Sequence, residues 1–144
     1  MGYTNRVTEV LVPLGGRHPV DTVAGAIAYT GYVSLANYHR ALVVIDAGVF
    51  GGTGHIDIQL YQALTTGGGS PKVIAGKALT QTLVGGSYYA IELQTEELDV
   101  DGGFDCIAVG YTVTHANCLF GITIWGAEPR FMPVPTTGWQ EIIG

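Results

Sequence analysis

Nucleophilic and metal chemistry would fall to four histidines and two cysteines in this chain, and their spacing favours neither. His115 lies close to Cys118 in sequence, so a Cys–His pair is conceivable there. A histidine in a hairpin turn is the ordinary reading. His39 and His55 begin successive apolar runs, and a zinc site between them competes with two surface histidines. Ser34, Ser70 and Ser87 are the serines, and none stands in Gly-x-Ser-x-Gly. The stretch Asp99-Val-Asp101-Gly-Gly-Phe-Asp105 places three carboxylates beside glycines, like a fragment of a calcium loop. It lacks the closing glutamate and flanking helices of an EF-hand, so Asp99, Asp101 and Asp105 are a weak calcium candidate against a solvated Asp-Gly turn. Gly67-Gly68-Gly69-Ser70-Pro71-Lys72 has the wrong spacing for a phosphate-binding loop, and Pro71 removes a backbone donor. The neighbouring Glu96 and Glu97 carry no weight as a glycosidase pair. The expectation is a protein without catalytic residues, resident metal or cofactor.

Composition narrows the partners. Charged residues make up 12% of the 144 residues, about half the usual ~25%. The surface must therefore be rich in Gly, Ser, Thr, Asn, Gln and Tyr, which suits permanent contact with other subunits. Arg6, Arg17, Arg40, Lys72, Lys77 and Arg130 are scattered and the net charge is −6. Phosphate recognition relies on clustered cations, so direct nucleic-acid binding is not expected, nor is an anionic membrane surface. No run approaches the ~18 apolar residues of a membrane span, and residues 1–9 hold no signal-peptide core. The expectation is a soluble chain made in the cytoplasm. Cys106 and Cys118 read as buried thiols rather than a disulfide or metal pair.

The elements are short and β-prone, punctuated by glycine pairs and triplets. Val7 to Leu14 is a first run and Tyr29 to Leu35 a second. Arg40 to Ala47 is nearly all apolar and reads as a central strand covered on both faces. In His55 to Ala63, Ile56, Ile58 and Leu60 oppose His55, Asp57, Gln59 and Tyr61. In Ser87 to Gln94, Tyr89, Ile91 and Leu93 face in and Tyr88 faces out. A period of two means strand. Val73 to Leu83 adds a strand interrupted at Gly76. Ile107 to Thr114 and Cys118 to Trp125 each carry one apolar face, and their short link predicts an antiparallel hairpin. Helical hints are confined to Ala24–Ala28 and a turn at Thr95–Leu98.

The fold class is therefore all-β: an antiparallel two-sheet sandwich, jelly-roll-like, of about eight strands. Residues 1–144 form one domain with a short N-terminal arm (1–6) and an extended C-terminal tail (128–144). The tail carries Pro129, Pro133 and Pro135, which cannot serve a central strand. It also carries Phe131, Met132, Trp139, Ile142 and Ile143, apolar groups that need a surface, either their own domain's or a neighbour's. Tyr88, Trp125, Arg130, Phe131 and Met132 are the interface candidates.

Three stretches carry a resemblance. They are Tyr32-Val33-Ser34-Leu35-Ala36-Asn37-Tyr38-His39-Arg40, Glu96-Glu97-Leu98-Asp99-Val100-Asp101-Gly102-Gly103-Phe104, and Gly126-Ala127-Glu128-Pro129-Arg130-Phe131-Met132-Pro133. In this order, with strands between, the chain resembles small virion proteins of tailed bacteriophages, in particular head decoration (cement) proteins. The resemblance implies a jelly-roll-like sandwich, a homotrimer, a seat on the capsid exterior against the major capsid protein, and no enzyme activity. A neck or tail component of the virion is the nearest competitor. A carbohydrate- or receptor-binding module is the alternative class, with Tyr61, Tyr88 and Trp125 as stacking candidates. On the virion reading, removing residues 128–144 weakens docking while the sandwich stays folded, which a thermal melt of the truncated chain checks.

Overall fold

The computed structural model describes residues 6–79, 84–131 and 138–143. Among the described residues one helical turn, α1 (Val7–Val10), precedes nine strands. These are β1 (Leu11–Thr22), β2 (Ala28–Tyr29), β3 (Val33–Ser34), β4 (Tyr38–Phe50), β5 (His55–Ala63), β6 (Lys72–Leu79), β7 (Ser87–Gln94), β8 (Cys106–Thr114) and β9 (Cys118–Pro129). Sheet A has the order β1-β9-β4-β7, and sheet B the order β2-β8-β5-β6 with β3 also on β8. Every pairing is antiparallel.

The pairings have a simple logic. β5 pairs with β6, β4 with β7, β2 and β3 with β8, and β1 with β9. The first half of the chain thus runs beside the second as one long ribbon, turned at the β5–β6 link. Rolling that ribbon brings β9 between β1 and β4, and β8 between the β2/β3 edge and β5. Counting the two short strands as one, this is an eight-stranded jelly roll, the architecture expected from the strand pattern.

The period-two faces set the core. Ile56, Ile58 and Leu60 meet Val43, Ile45, Ile107, Val109, Phe120, Ile122 and Ile124 between the sheets, all essentially without solvent exposure. Fully burying side chains of this size stabilises by roughly 1.5–3 kcal/mol each before chain entropy is counted. Tyr89 packs against this cluster while Tyr88, one residue earlier, faces water.

Four expectations change. β8 and β9 do not form a hairpin: they lie in different sheets, joined by an arch at residues 115–117 in which His115 takes φ +67°. Both strands have one apolar face, and facing each other across the core buries both faces as effectively as lying side by side. The first run is not a strand from Val7. It opens with α1, and β1 continues through Gly15-Gly16 to Thr22, with irregularities after Pro13 and Arg17. The Tyr29–Leu35 run shortens to two brief pairings with β8. β4 is central, between β7 and β9, but within Arg40–Ala47 only Ala41, Val43, Ile45 and Ala47 are buried. Its outer residues Leu42 and Val44 are half-buried, and Arg40 and Asp46 are exposed.

The interruption expected at Gly76 is present. Gly76 adopts φ +74°, and the β5–β6 register shifts between Gln59 and Tyr61. The Gln59 amide fills the irregularity, donating to the carbonyls of Ile74 (3.1 Å) and Lys77 (3.2 Å). Both cysteines are free and buried. Cys106 starts β8 and Cys118 lies just beyond its end, about 26 Å of strand apart, so no bridge can form.

Gly16 has φ +131°, and a Cβ there would sit 2.0 Å from the Ile122 carbonyl oxygen of β9. Gly25 has open space around its Cβ position. Gly16→Ala is expected to destabilise by about 2 kcal/mol or more, and Gly25→Ala to stay within about 0.5 kcal/mol of the parent. Urea unfolding of the two variants checks the pair.

Candidate functional site on the outer faces

Strand pairing lays the outward residues of sheet A in rows. One row is Tyr88, Asp46 and Gly121; the next is Ala90, Val44, Thr123 and Gly16; the third is Glu92, Leu42, Trp125 and Pro13. The middle of this face is a floor of small side chains. A cleft of about 350 Å³ opens there, bordered by Pro13, His18, Pro19, Asp46, Thr123 and Gly138. Tyr88 stands at one side, 77% exposed.

At the other side the tail returns. Trp139 packs on Trp125 with ring centroids 5.5 Å apart. Gly138 lies against Pro13, where a Cβ would come within 2.4 Å of the Pro13 carbonyl oxygen. Trp125 is therefore half-covered by its own chain rather than a free contact. Among the described residues the buried Trp139 indole nitrogen has no hydrogen-bond acceptor.

The root of the tail is also fixed. β9 runs through Glu128 and Pro129, so the tail begins at Arg130 and not at Glu128. Glu128 takes φ +51° and pairs with Arg40 at 3.1 Å. The Arg130 N–H donates to the Asn37 carbonyl (2.8 Å), its Nε to the Tyr38 carbonyl (3.2 Å) and a terminal guanidinium nitrogen to Thr95 Oγ1 (3.2 Å). Arg130, read as an interface candidate, is thus a clamp that ties β9 to the start of β4 and to the 3₁₀ turn Thr95–Glu97. Phe131 follows at 72% exposure. Met132 and residues 1–5 of the N-terminal arm lie outside the described residues.

The other chemical candidates are dispersed. The Asp99 carboxylate pairs with Lys72, and its second oxygen accepts the Gly102 N–H at 3.0 Å. Lys72 also lies over the Phe104 ring, and these partners hold the Asp99 carboxyl below its usual range. Asp105 accepts the Cys106 thiol at 3.2 Å, while Asp101 is exposed. Two of the three carboxylates of the calcium candidate are thus engaged with separate partners. Among the described residues no group of three His, Cys, Asp or Glu side chains is placed to hold a metal ion. His39 and His55 fall at opposite ends of the sandwich, because β4 traverses its whole length between them. His55 instead faces His115, with ring centroids 5.0 Å apart, and bonds to the Thr114 hydroxyl. Cys118 shares no nucleophilic pair with His115. Its thiol is buried toward the Ala116 carbonyl, and burial and then the Asp21 charge push its pKa up.

Sheet B carries an aromatic corner that the strand pattern did not reveal. Tyr61 lies across Gly110, where a Cβ would meet the Tyr61 ring at 2.5 Å. Tyr29 meets that ring nearly edge-on, with centroids 5.1 Å apart and planes at 82°. Tyr32 packs beside Gly68 in the β5–β6 link. Burial, then the Tyr29 hydroxyl, raises the Tyr61 phenol above its usual range. A glycine in mid-strand is the signal for such a close approach.

No protein-family model matches the chain, and no curated protein matches it. Among solved structures, one described as "Structure of infectious bursal disease virus Gt strain" aligns at 10% identity with a TM-score of 0.32. The alignment covers 83% of this chain and 41% of that one, so it spans less than half of the viral chain's length. Among the described residues no helix is long and apolar enough to cross a membrane.

Burial, then the neighbouring Asp105 carboxylate, pushes the Cys106 thiol up to about 11. An unfolded cysteine ionises near ~8.5, so the native state holds the extra proton between those values and stability must fall as pH rises through that window. Unfolding free energies measured from pH 8 to 11 should decline, and Cys106→Ala should flatten the decline.

Proposed function

We propose that this protein is a structural component of a virion, and within that class a decoration protein on the capsid exterior of a tailed bacteriophage. It would bridge neighbouring subunits of the major capsid protein and act without catalysis. The observation that carries the reading is apolar surface at one end of the sandwich. Val49 is 75% exposed and Val84 63% exposed, on a glycine-rich rim that also includes Phe50. Tyr88 stands on the same end of sheet A, paired through Asp46. Large apolar side chains left in water on a surface short of charge are what an interface core provides. The resemblance of residues 32–133 to phage decoration proteins supports the same assignment, and so does the jelly-roll order of the strands. A cement protein works by mass action, because each bound copy stabilises the shell state that it bridges. The homotrimer that the resemblance implies would join two different patches of each protomer head-to-tail around a closed three-fold axis.

Co-sedimentation with empty phage heads tests this. The parent chain should pellet with heads, and Val49→Asp should lose at least about tenfold in affinity while keeping its melting temperature, a change of roughly 1.4 kcal/mol. A parent chain that stays in the supernatant at saturating heads contradicts the reading.

The aromatic corner of sheet B favours one second reading, a carbohydrate-binding module. Tyr61 would be the floor and Tyr29 the wall of a stacking subsite, with phenolic hydroxyls to meet sugar hydroxyls. Binding on a glycan array that Tyr61→Ala abolishes would support it, and an array without signal would set it aside.

A further inference from the structure

We propose that His55 and His115 form a two-histidine site for a divalent late first-row ion, the class of zinc, copper and nickel. Their rings lie 5.0 Å apart between centroids, with planes tilted by 50°. Two imidazoles that share one ion through bonds of ~2.0–2.1 Å, at angles between ~90° and ~110°, have centroids about 4.5–5.2 Å apart. The observed separation falls inside that span.

The backbone under His115 is built to present it. The Thr114 carbonyl accepts the Ala116 N–H at 2.9 Å, and His115 between them takes φ +67°. This is the rare and strained form of the γ-turn. Such strain persists only where the surroundings over-determine it, and it gathers at functional positions. The surroundings here are the turn at residues 51–54. The Gly51 N–H donates to the Asn117 carbonyl at 2.8 Å. A Cβ on Gly54 would stand 2.9 Å from the Cys118 Sγ and 3.1 Å from the Ala116 carbonyl oxygen. The turn is thus seated directly against the arch and holds it in place, with the exposed His115 beside His55.

His55 is held as well. It opens β5 opposite Thr114, whose hydroxyl bonds its Nε2. A ligating histidine is commonly oriented through its second ring nitrogen, and this bond leaves Nδ1 as the ligand atom. Both histidines lie on the β8 side of β5, while β6 flanks the opposite edge. Imidazole donors suit zinc, copper and nickel, whereas calcium and magnesium take oxygen. Water completes the coordination on the exposed side. A bound ion would tie the 115–117 arch to the start of β5.

The inference does not rest on the virion reading, and its test uses the free chain. Zinc chloride is titrated into the full-length protein in a calorimeter, and one ion should bind per chain. His115→Asn and His55→Gln should each weaken binding by at least about tenfold. Asparagine tolerates positive φ, so His115→Asn keeps the turn, and a thermal melt confirms folding. His39→Gln, at the other end of the sandwich, should bind zinc like the parent. A parent that takes up no zinc at millimolar concentration overturns the site, and so does equal binding by the parent and all three variants. If a variant fails to fold, paramagnetic nickel added to the labelled parent decides. Amide resonances around His55 and His115 should broaden first, and broadening centred elsewhere overturns the site.

Discussion

Phe120, Ile122 and Ile124 reach the core only because β9 is inserted between β1 and β4. That insertion joins the two ends of the chain. It aligns β4 with the last strand over nearly its whole length, from Tyr38 opposite Pro129 to Phe50 opposite Cys118. The same ladder turns Trp125, Thr123 and Gly121 outward and so defines the outer surface of sheet A. It also ends where Arg130 meets the Tyr38 carbonyl, which fixes the point and direction of the tail's departure. Core, outer face and tail are therefore consequences of one pairing.

The surface is the complementary half of the account. With so few ionisable groups, those present mostly serve local structure. Lys77 pairs with Glu97 at 2.9 Å and donates to the Glu92 carbonyl, holding β6 against β7 and the 3₁₀ turn. Lys72 and Asp99 lock the turn before β8. Exposed pairs of this kind contribute little to stability, but they leave few charges free for solvation. The remaining surface offers apolar and tyrosine groups, among them Val49, Val84 and Tyr88.

Strand faces were legible in the sequence because side chains alternate with a period of two, and burying one face selects Ile56, Ile58 and Leu60 or Tyr89, Ile91 and Leu93 without knowledge of the partner. Partners were not legible for the same reason. Alternation encodes the face and not the neighbour, so the 115–117 arch between sheets read as a hairpin. At the site, the exposure of Tyr88 follows from its alternation with Tyr89. The cover on Trp125 does not, because Trp139 returns only after the 132–137 connector. Arg130 looked like a contact residue in a proline-rich tail, yet its acceptors at Tyr38 and Thr95 lie 92 and 35 residues away. Only the completed jelly roll brings them together. Tyr61 over Gly110 is a similar case: the pairing of β5 with β8 sets it, and the lone signal was a glycine within β8.

Self-association is the central requirement of this account, and the solution mass of the purified chain measures it most directly. Light scattering should give about three times the 15.1 kDa chain mass, held on dilution through the micromolar range. A mass of six or twelve copies would favour the neck over the head within the proposed virion reading. A stable monomer across that range would contradict the account.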